Sequence, residues 1–341
     1  MTMPDKMTAL IQLHDGYSGR REGPAIEAMA PYLAQETIPV PTPGPGQAVI
    51  RVHMAAVNPS DTHFIKGEYG QPRVKGAPAG FEGVGEVVAG DTPLLGQRVS
   101  FYATASGTWA EYAMTDLKGL IPLRPDLKEV DAAGLLVNPL TAIAMFEMAA
   151  ENDAESFILN AAGSQLGKFL IALGRDKGVK PIAVVRRAAQ VDALKELGAA
   201  EVIVTSEPDA MDKARTIFRA LKPRVLLDAV GDQMTADMFF AMPNRARWVN
   251  YGKLSTEPPA LTEIGQLIFQ HKRIEGFWLT RWMAEVPRAR VGEAFAEAQG
   301  HFAEGRWLTD VAGIVPLSEA MNKLPEVLAK PDGKAFIDCR A

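Results

Sequence analysis

The sequence holds one cysteine, Cys339, two residues from its end. A lone cysteine excludes an intrachain disulfide framework and any zinc site built from several thiolates, and it makes a reducing compartment, the cytoplasm, the expected one. No apolar run approaches the roughly 20 residues that span a bilayer, and the first residues lack the charged-then-apolar pattern of a signal peptide. Excess basic charge is missing too. The 36 Lys and Arg against 41 Asp and Glu leave a net charge of −5, so bulk electrostatics favour neither nucleic acid nor an acidic membrane surface. Small clusters such as Arg20-Arg21 read as solvated surface. There is no internal repeat and no low-complexity tract, and the run PVPTPGP at residues 39–45 is a rigid turn region rather than a domain linker.

What is present is enough chain for two domains with sizeable cores: 341 residues of ordinary globular composition. The first third is rich in glycine, proline and short β-prone runs. Residues 48–52, 84–89, 97–101 and 109–114 read as strands, with Gly83, Gly85, Gly90 and Gly96 marking turns, which suggests a compact, irregular β barrel. The stretch 16–39 carries no clear motif. From Asn138 the texture changes. A helix over 139–150 opens on a proline. Strands at 157–160, 181–185, 201–204, 224–229, 247–251 and 273–279 then alternate with helices at 165–177, 189–197, 209–221, 234–242 and 262–271. That series predicts an α/β fold with a doubly wound parallel sheet. After Trp282, a charged helix, a strand near 309–315, a helix near 318–328 and a last strand at 335–339 are expected to rejoin the N-terminal domain. The expected division is therefore 1–137 and 281–341 for one domain and 138–280 for the other.

The segment FILNAAGSQLG at 157–167 is the most informative in the chain. It places a turn of small residues between an apolar strand and a helix, the layout that sets a pyrophosphate over a helix N-terminus. The three positions usually held by glycine are Ala162, Ser164 and Gly167, with Gly163, Gln165 and Leu166 completing the loop. Ala and Ser are the smallest substitutes, Gly167 preserves a close helix–strand contact, and Ser164 offers a hydroxyl to a phosphate oxygen. The competing reading is a small-residue turn with no nucleotide. The second strand ends in Arg186 and Arg187 where an NAD-selective site carries an acid. Guanidinium groups there suit a 2′-phosphate, so NADPH is expected over NADH, although both arginines also read as plain helix-entry charges. The strand ends at 228–231 and 250–252 are expected to line the nicotinamide half of the groove through Val230, Tyr251 and Gly252, with Gly231 and Gly252 permitting close backbone approach.

Six segments in order, NPSD at 58–61, IKGEYG at 65–70, GFEGVG at 80–85, VNPLT at 137–141, the AAGSQLG turn and GFWL at 276–279, resemble the medium-chain dehydrogenase/reductase superfamily. The nearest pattern is that of zinc-independent enoyl-thioester reductases of the mitochondrial type, with quinone oxidoreductases next. The resemblance implies a GroES-like β barrel completed by the C-terminal segment, an inserted Rossmann domain, a cleft between them, and a homodimer joined through edge strands of the nucleotide domains. Zinc-dependent relatives have a cysteine in the segment matching 57–61 and a histidine in that matching 80–83. Here Phe81 stands in the histidine's place and the cysteine is absent, so no metal is expected. His53 and His63 read as surface or satisfied core histidines.

Reduction of a carbon–carbon double bond conjugated to a carbonyl needs hydride at the β carbon, stabilisation of the charge arriving on oxygen, and a proton at the α carbon. Tyr69 lies where the enoyl reductases carry their proton-donating tyrosine, and a phenol of pKa about 10 stays protonated at neutral pH. The plainer alternative is a tyrosine packing its ring on a loop. Asn58 matches a family residue near the nicotinamide, or it caps the turn before Pro59. Phe277 and Trp278 match the cofactor cleft, and Trp278 also the substrate side; a strand-end aromatic is as often core. Asn138, at the crossover between domains, is grouped with the substrate-binding residues, its role a hydrogen bond that holds the cleft. The small-molecule substrate is then an enoyl thioester or enone. A quinone reductase, which needs no proton donor, is the second reading. A non-catalytic NADPH-binding sensor or structural subunit is the third.

Overall fold

A computed structural model of the protein describes residues 3–103, 107–330 and 332–340. The chain forms two compact units. One comprises the chain up to Val137 and again from Phe295, and the other comprises Asn138–Ala294. The return to the first unit comes at Phe295, inside the helix Arg288–Ala303, and later than residue 281.

The nucleotide-type unit is a six-stranded, wholly parallel sheet. In spatial order its strands are Glu201–Val204, Lys180–Val185, Ser156–Leu159, Val225–Asp228, Arg247–Asn250 and Arg273–Gly276. The order reverses between the third and fourth, which makes that point the crevice of a doubly wound sheet. The central strands SFIL and VLLD are buried at every position, as strands covered on both faces must be. The helix Gln165–Lys177 starts where Ser164 accepts a hydrogen bond from the Gly167 N–H (3.1 Å), and it stops at Gly178, whose φ of 74° is left-handed. Leu166, Phe169, Leu170 and Leu173 supply its buried face. The helix Gln233–Ala241 is closed at its far end by Lys272, whose buried ammonium donates to the Phe239 and Phe240 carbonyls (both 2.9 Å).

The first unit is a seven-strand sheet. Strands Val311–Pro316, Lys334–Asp338, Gln47–Val57, Glu82–Gly90, Arg98–Tyr102 and Leu120–Pro122 run in that order, and Tyr112–Asp116 also pairs with Gln47–Val57. The C-terminal strand Lys334–Asp338 thus pairs directly with the long strand from the first third of the chain. Trp109, Phe101, Ile50 and Leu33 are fully buried in this core, each such side chain contributing about 1.5–3 kcal/mol of transfer free energy. A separate hairpin, Lys6–Gln12 with Leu33–Pro39, closes a twenty-residue excursion whose neck is the Gln12–Leu33 pair.

Several local expectations change. The strand expected at 109–114 lies at Tyr112–Asp116: Trp109 and Ala110 are fully buried, and Ala110 pairs with Ala9 only through an isolated bridge. The helix expected over 262–271 is only Gly265–Phe269. The strand expected to reach residue 279 ends at Gly276, and Trp278 caps the helix Leu279–Glu285 that contains Trp282. The stretch without a motif, 16–39, contains a strand.

Candidate functional site

The turn after Leu159 is tight enough to force Ala161 to φ 47°, left-handed for a residue with a Cβ and held there by the Ser164 N–H to Ala161 C=O bond (2.9 Å). Gly167 has no room for a side chain: a Cβ would sit 2.5 Å from the Ala162 carbonyl oxygen, so helix and turn touch backbone to backbone. Ala162, Leu166 and Gly167 are buried, while Gly163, Ser164 and Gln165 form the accessible tip of the loop. The Ser164 oxygen accepts the cap bond, which leaves its O–H able to donate outward. At the next strand end Arg186 is exposed and Arg187 half-buried.

The ends of three neighbouring strands are tied by one carboxylate. Asp228, fully buried, accepts from the Asn160 side-chain amide, the Val230 N–H (2.8 Å) and the Gly231 N–H (2.9 Å) on one oxygen. Its other oxygen accepts from the Trp248 indole (2.8 Å) and the Asn250 amide (2.9 Å). Asn160 in turn accepts from the Ala229 N–H (2.7 Å). The sequence placed strand ends at Asn160 and Asp228 but gave no sign that the two side chains bond one another. Gly231 adopts φ 71°, and a Cβ on Gly252 would meet the Ala229 carbonyl oxygen at 2.6 Å, so the loops 229–231 and 251–255 lie zipped together. The Tyr251 hydroxyl is buried beside Asp228 with no hydrogen-bond partner among the described residues. Burial first, and the Asp228 charge second, push its pKa upward. Phe277 is half-buried, its N–H bonded to the Asn250 carbonyl (2.8 Å), and Trp278 is 38% exposed. Asn138, half-buried, is the second residue of the helix Val137–Ala149.

A dinucleotide fits these residues. The loop sets the exposed Ser164 hydroxyl at the N-terminus of the helix Gln165–Lys177, where the first backbone N–H groups of a helix suit a pyrophosphate.

In the first unit, the loop 67–70 turns at Gly67 (φ 74°) and presents Tyr69. The Tyr69 ring is half-buried and leans on two phenylalanines, Phe64 edge-on (centroids 6.4 Å) and Phe81 tilted (5.3 Å). Asn58 belongs to a buried polar cluster instead of presenting its amide to an open surface. It donates from Nδ2 to Glu82 (2.8 Å), its oxygen accepts from Lys334, and its N–H donates to Asp61 (2.8 Å). Glu82 also accepts the N–H groups of Leu136 (2.9 Å) and Val137 (3.0 Å). Zinc does not fit here. Glu82 is filled by donors, His53 faces Glu129 and Arg340 shares that carboxylate. Cys339 is buried with its thiol pKa raised, chiefly by burial. Among the described residues no group of three His, Cys, Asp or Glu side chains could hold a metal ion.

Two family models match the chain: "Alcohol dehydrogenase GroES-like domain" over residues 44–125 and "Zinc-binding dehydrogenase" over residues 166–294. A Mesorhizobium loti protein described as a "putative NADPH:quinone reductase" is 48% identical, covers 99% of this chain and 100% of its own, and superposes with a TM-score of 0.95. The rat mitochondrial enoyl-[acyl-carrier-protein] reductase is 32% identical over 68% of this chain, a match that spans 65% of the rat protein, just under two thirds. The Etr1p reductase of Candida tropicalis, solved with NADP and crotonyl-CoA, shares the fold at a TM-score of 0.81 with 20% identity, covering 98% and 99% of the two chains. With a GroES-like sheet, a doubly wound parallel sheet and these relatives, the chain belongs to the zinc-independent branch of the medium-chain dehydrogenase/reductase superfamily.

Proposed function

We propose that the protein is an NADPH-dependent oxidoreductase that reduces the carbon–carbon double bond of 2-enoyl thioesters or related activated alkenes. The observation that carries this reading is Tyr69, a phenol on a glycine-turned loop with its ring held by Phe64 and Phe81, in a chain whose nucleotide strand ends in Arg186-Arg187. The cofactor, when bound, supplies hydride to the β carbon. The backbone of 163–166 and the Ser164 hydroxyl hold its pyrophosphate, and Arg186 and Arg187 hold the 2′-phosphate. Tyr69 donates a hydrogen bond to the substrate carbonyl oxygen as charge develops there, and it passes its proton toward the α carbon. Asn58 keeps Glu82 and Lys334 in place and does not touch the reacting atoms.

A quinone substrate is the second reading, favoured by the description of the M. loti relative. The two separate in one assay: NADPH oxidation against crotonyl and longer enoyl thioesters, simple enones and quinones, for the wild type and Tyr69→Phe. The first reading expects enoyl turnover that falls by two orders of magnitude or more in the variant with NADPH affinity unchanged. Quinone turnover alone, indifferent to Tyr69, overturns it.

The assembly proposed is a homodimer. Arg273–Gly276 is one of the two edge strands of its sheet, and in the segment before it Ile264 (61%), Ile268 (68%) and Phe269 (82%) are exposed. Residence in the cytoplasm is part of the proposal, although the curated relatives are mitochondrial enzymes. No helix among the described residues is long and apolar enough to cross a membrane.

A further inference from the structure

The excursion 13–32 leaves one strand of the N-terminal hairpin and returns on the other, its neck closed by the Leu13 N–H to Tyr32 C=O bond (3.0 Å). Its return limb is anchored in the core by Ile26 and Met29, both buried. Between these fixed points it runs along the loop that carries Tyr69 and bonds to residues on both sides of it. Gly16 and Arg73 exchange backbone hydrogen bonds (3.0 and 3.3 Å). The Ser18 N–H donates to the Gly67 carbonyl (2.9 Å) and the Glu22 N–H to the Glu68 carboxylate (2.6 Å). The Lys66 ammonium, buried, donates to the carbonyls of Gly23 (3.0 Å) and Ala25.

Arg73 is the keystone. Its guanidinium, 7% exposed, donates to the carbonyls of Gly16 (3.0 Å), Asp15 (3.3 Å) and Ile65 (3.2 Å), so one rigid fork joins the excursion to the end of the helix Pro59–Ile65. The same plane lies against Gly67, where a Cβ would come within 2.6 Å of the Arg73 Cζ. The turn into the Tyr69 loop is thereby packed against both Arg73 and the Ser18 backbone. A phenol that must meet a substrate oxygen needs its position held to a fraction of an ångström, and a four-residue loop with two glycines cannot supply that by itself.

Resting on the proposed reductase reading, we infer that Arg73 is a positioning residue for Tyr69, acting through the excursion 13–32, which serves as a fixed strap that aims the phenol. Lys66 and Glu68 belong to the same device. Arg73 does not touch substrate or cofactor. Its removal frees the loop backbone without altering the tyrosine's chemistry or the nucleotide unit.

The test is a double-substitution cycle on the full chain with crotonyl-CoA and NADPH. Arg73→Ala is expected to lower kcat at least tenfold with KM for NADPH and NADPH affinity by fluorescence unchanged, and Arg73→Lys, which keeps the charge and part of the donor set, to recover part of the loss. In a Tyr69→Phe background Arg73→Ala is expected to cost nothing more. Should Arg73→Ala fail to fold by circular dichroism, Arg73→Lys carries the cycle, with a loss of kcat in the wild-type background and none in Tyr69→Phe. Equal losses in both backgrounds, or full kcat in the Arg73 variants beside a crippled Tyr69→Phe, overturn the inference alone. Full activity in Tyr69→Phe overturns the underlying reading instead.

Discussion

The Lys334 ammonium donates a hydrogen bond to the Asn58 side-chain oxygen across 276 residues of sequence. The two stand with Glu82 and Asp61 in a cluster whose members are all at most 6% exposed. Lys334 is the cation of that cluster, 3.7 Å from Glu82, and burial lowers its pKa while the two acids raise it. Removing one partner of a buried pair leaves an uncompensated charge, which costs about 3–5 kcal/mol. Lys334→Met should therefore lower the unfolding free energy by about that amount in denaturant titration. A loss below about 1 kcal/mol would show that Glu82 is held by its three hydrogen bonds alone.

Asp61 gives the same cluster a pH dependence. Burial first, with the Glu82 charge in support, pushes its carboxyl from 3.8 to about 7. A folded pKa above the unfolded one means that protonated Asp61 stabilises the fold; this contribution is complete below about pH 4 and is lost as pH rises through 7. Asp61→Asn keeps an oxygen able to accept the Asn58 N–H bond and cannot ionise. The variant should gain stability over the wild type above pH 7, on the order of a few kcal/mol, and the difference should vanish near pH 4. A constant difference between pH 4 and 8 would rule the titration out.

The parallel sheet was readable because its central strands are uninterrupted apolar runs and its helices carry their own stop signals, such as Gly178 and Gly198. The strands Lys6–Gln12 and Leu33–Pro39 were not, because LAQETIP exposes six of its seven residues to at least partial solvent and offers no clean alternation. Trp109 misled in the other direction, since a β-prone aromatic was pulled from the strand by core packing. At the site, Ala162–Gly167 and Tyr69 could be named from spacing and resemblance. The commitment of Asn58 to Glu82 and Lys334 could not, because an acid buried at 82 announces the need for a cation without saying that it comes from the last strand.

Gly167 tests the phosphate loop. A Cβ there collides with backbone atoms of Ala162 at 2.5–2.8 Å, and backbone cannot rotate away as a side chain can. Gly167→Ala should push the helix start off the turn and raise the dissociation constant for NADPH at least tenfold, read by the quenching or enhancement of nucleotide fluorescence. Unchanged affinity in a folded variant would place the pyrophosphate elsewhere.

The proposed dimer rests on an apolar edge. Phe269 is 82% exposed in a five-residue helix that also exposes Ile268, and Ile274 on the neighbouring edge strand is 40% exposed. Such a patch on a sheet edge is a liability in a monomer. Phe269→Asp should move the protein from twice the chain mass to the single chain mass in sedimentation or light scattering, with the far-ultraviolet spectrum intact. A wild type that is monomeric at micromolar concentration would dismiss the edge as an interface.

The proposed preference for NADPH rests on Arg186, which is exposed at the end of the strand Lys180–Val185 and forms no ion pair among the described residues. A charge-assisted hydrogen bond contributes about 1.5–3 kcal/mol, which is about a 10- to 150-fold factor in binding. Arg186→Ser should accordingly cut kcat/KM for NADPH by about that factor while leaving kcat/KM for NADH within twofold, because the two cofactors differ only in the 2′-phosphate. Arg186→Glu should go further and favour NADH, since a carboxylate repels the phosphate and accepts from the ribose hydroxyls. Equal losses with both cofactors would mean that Arg186 supports the loop and not the phosphate, and a wild type that already prefers NADH would remove the guanidinium grip from the account of this site.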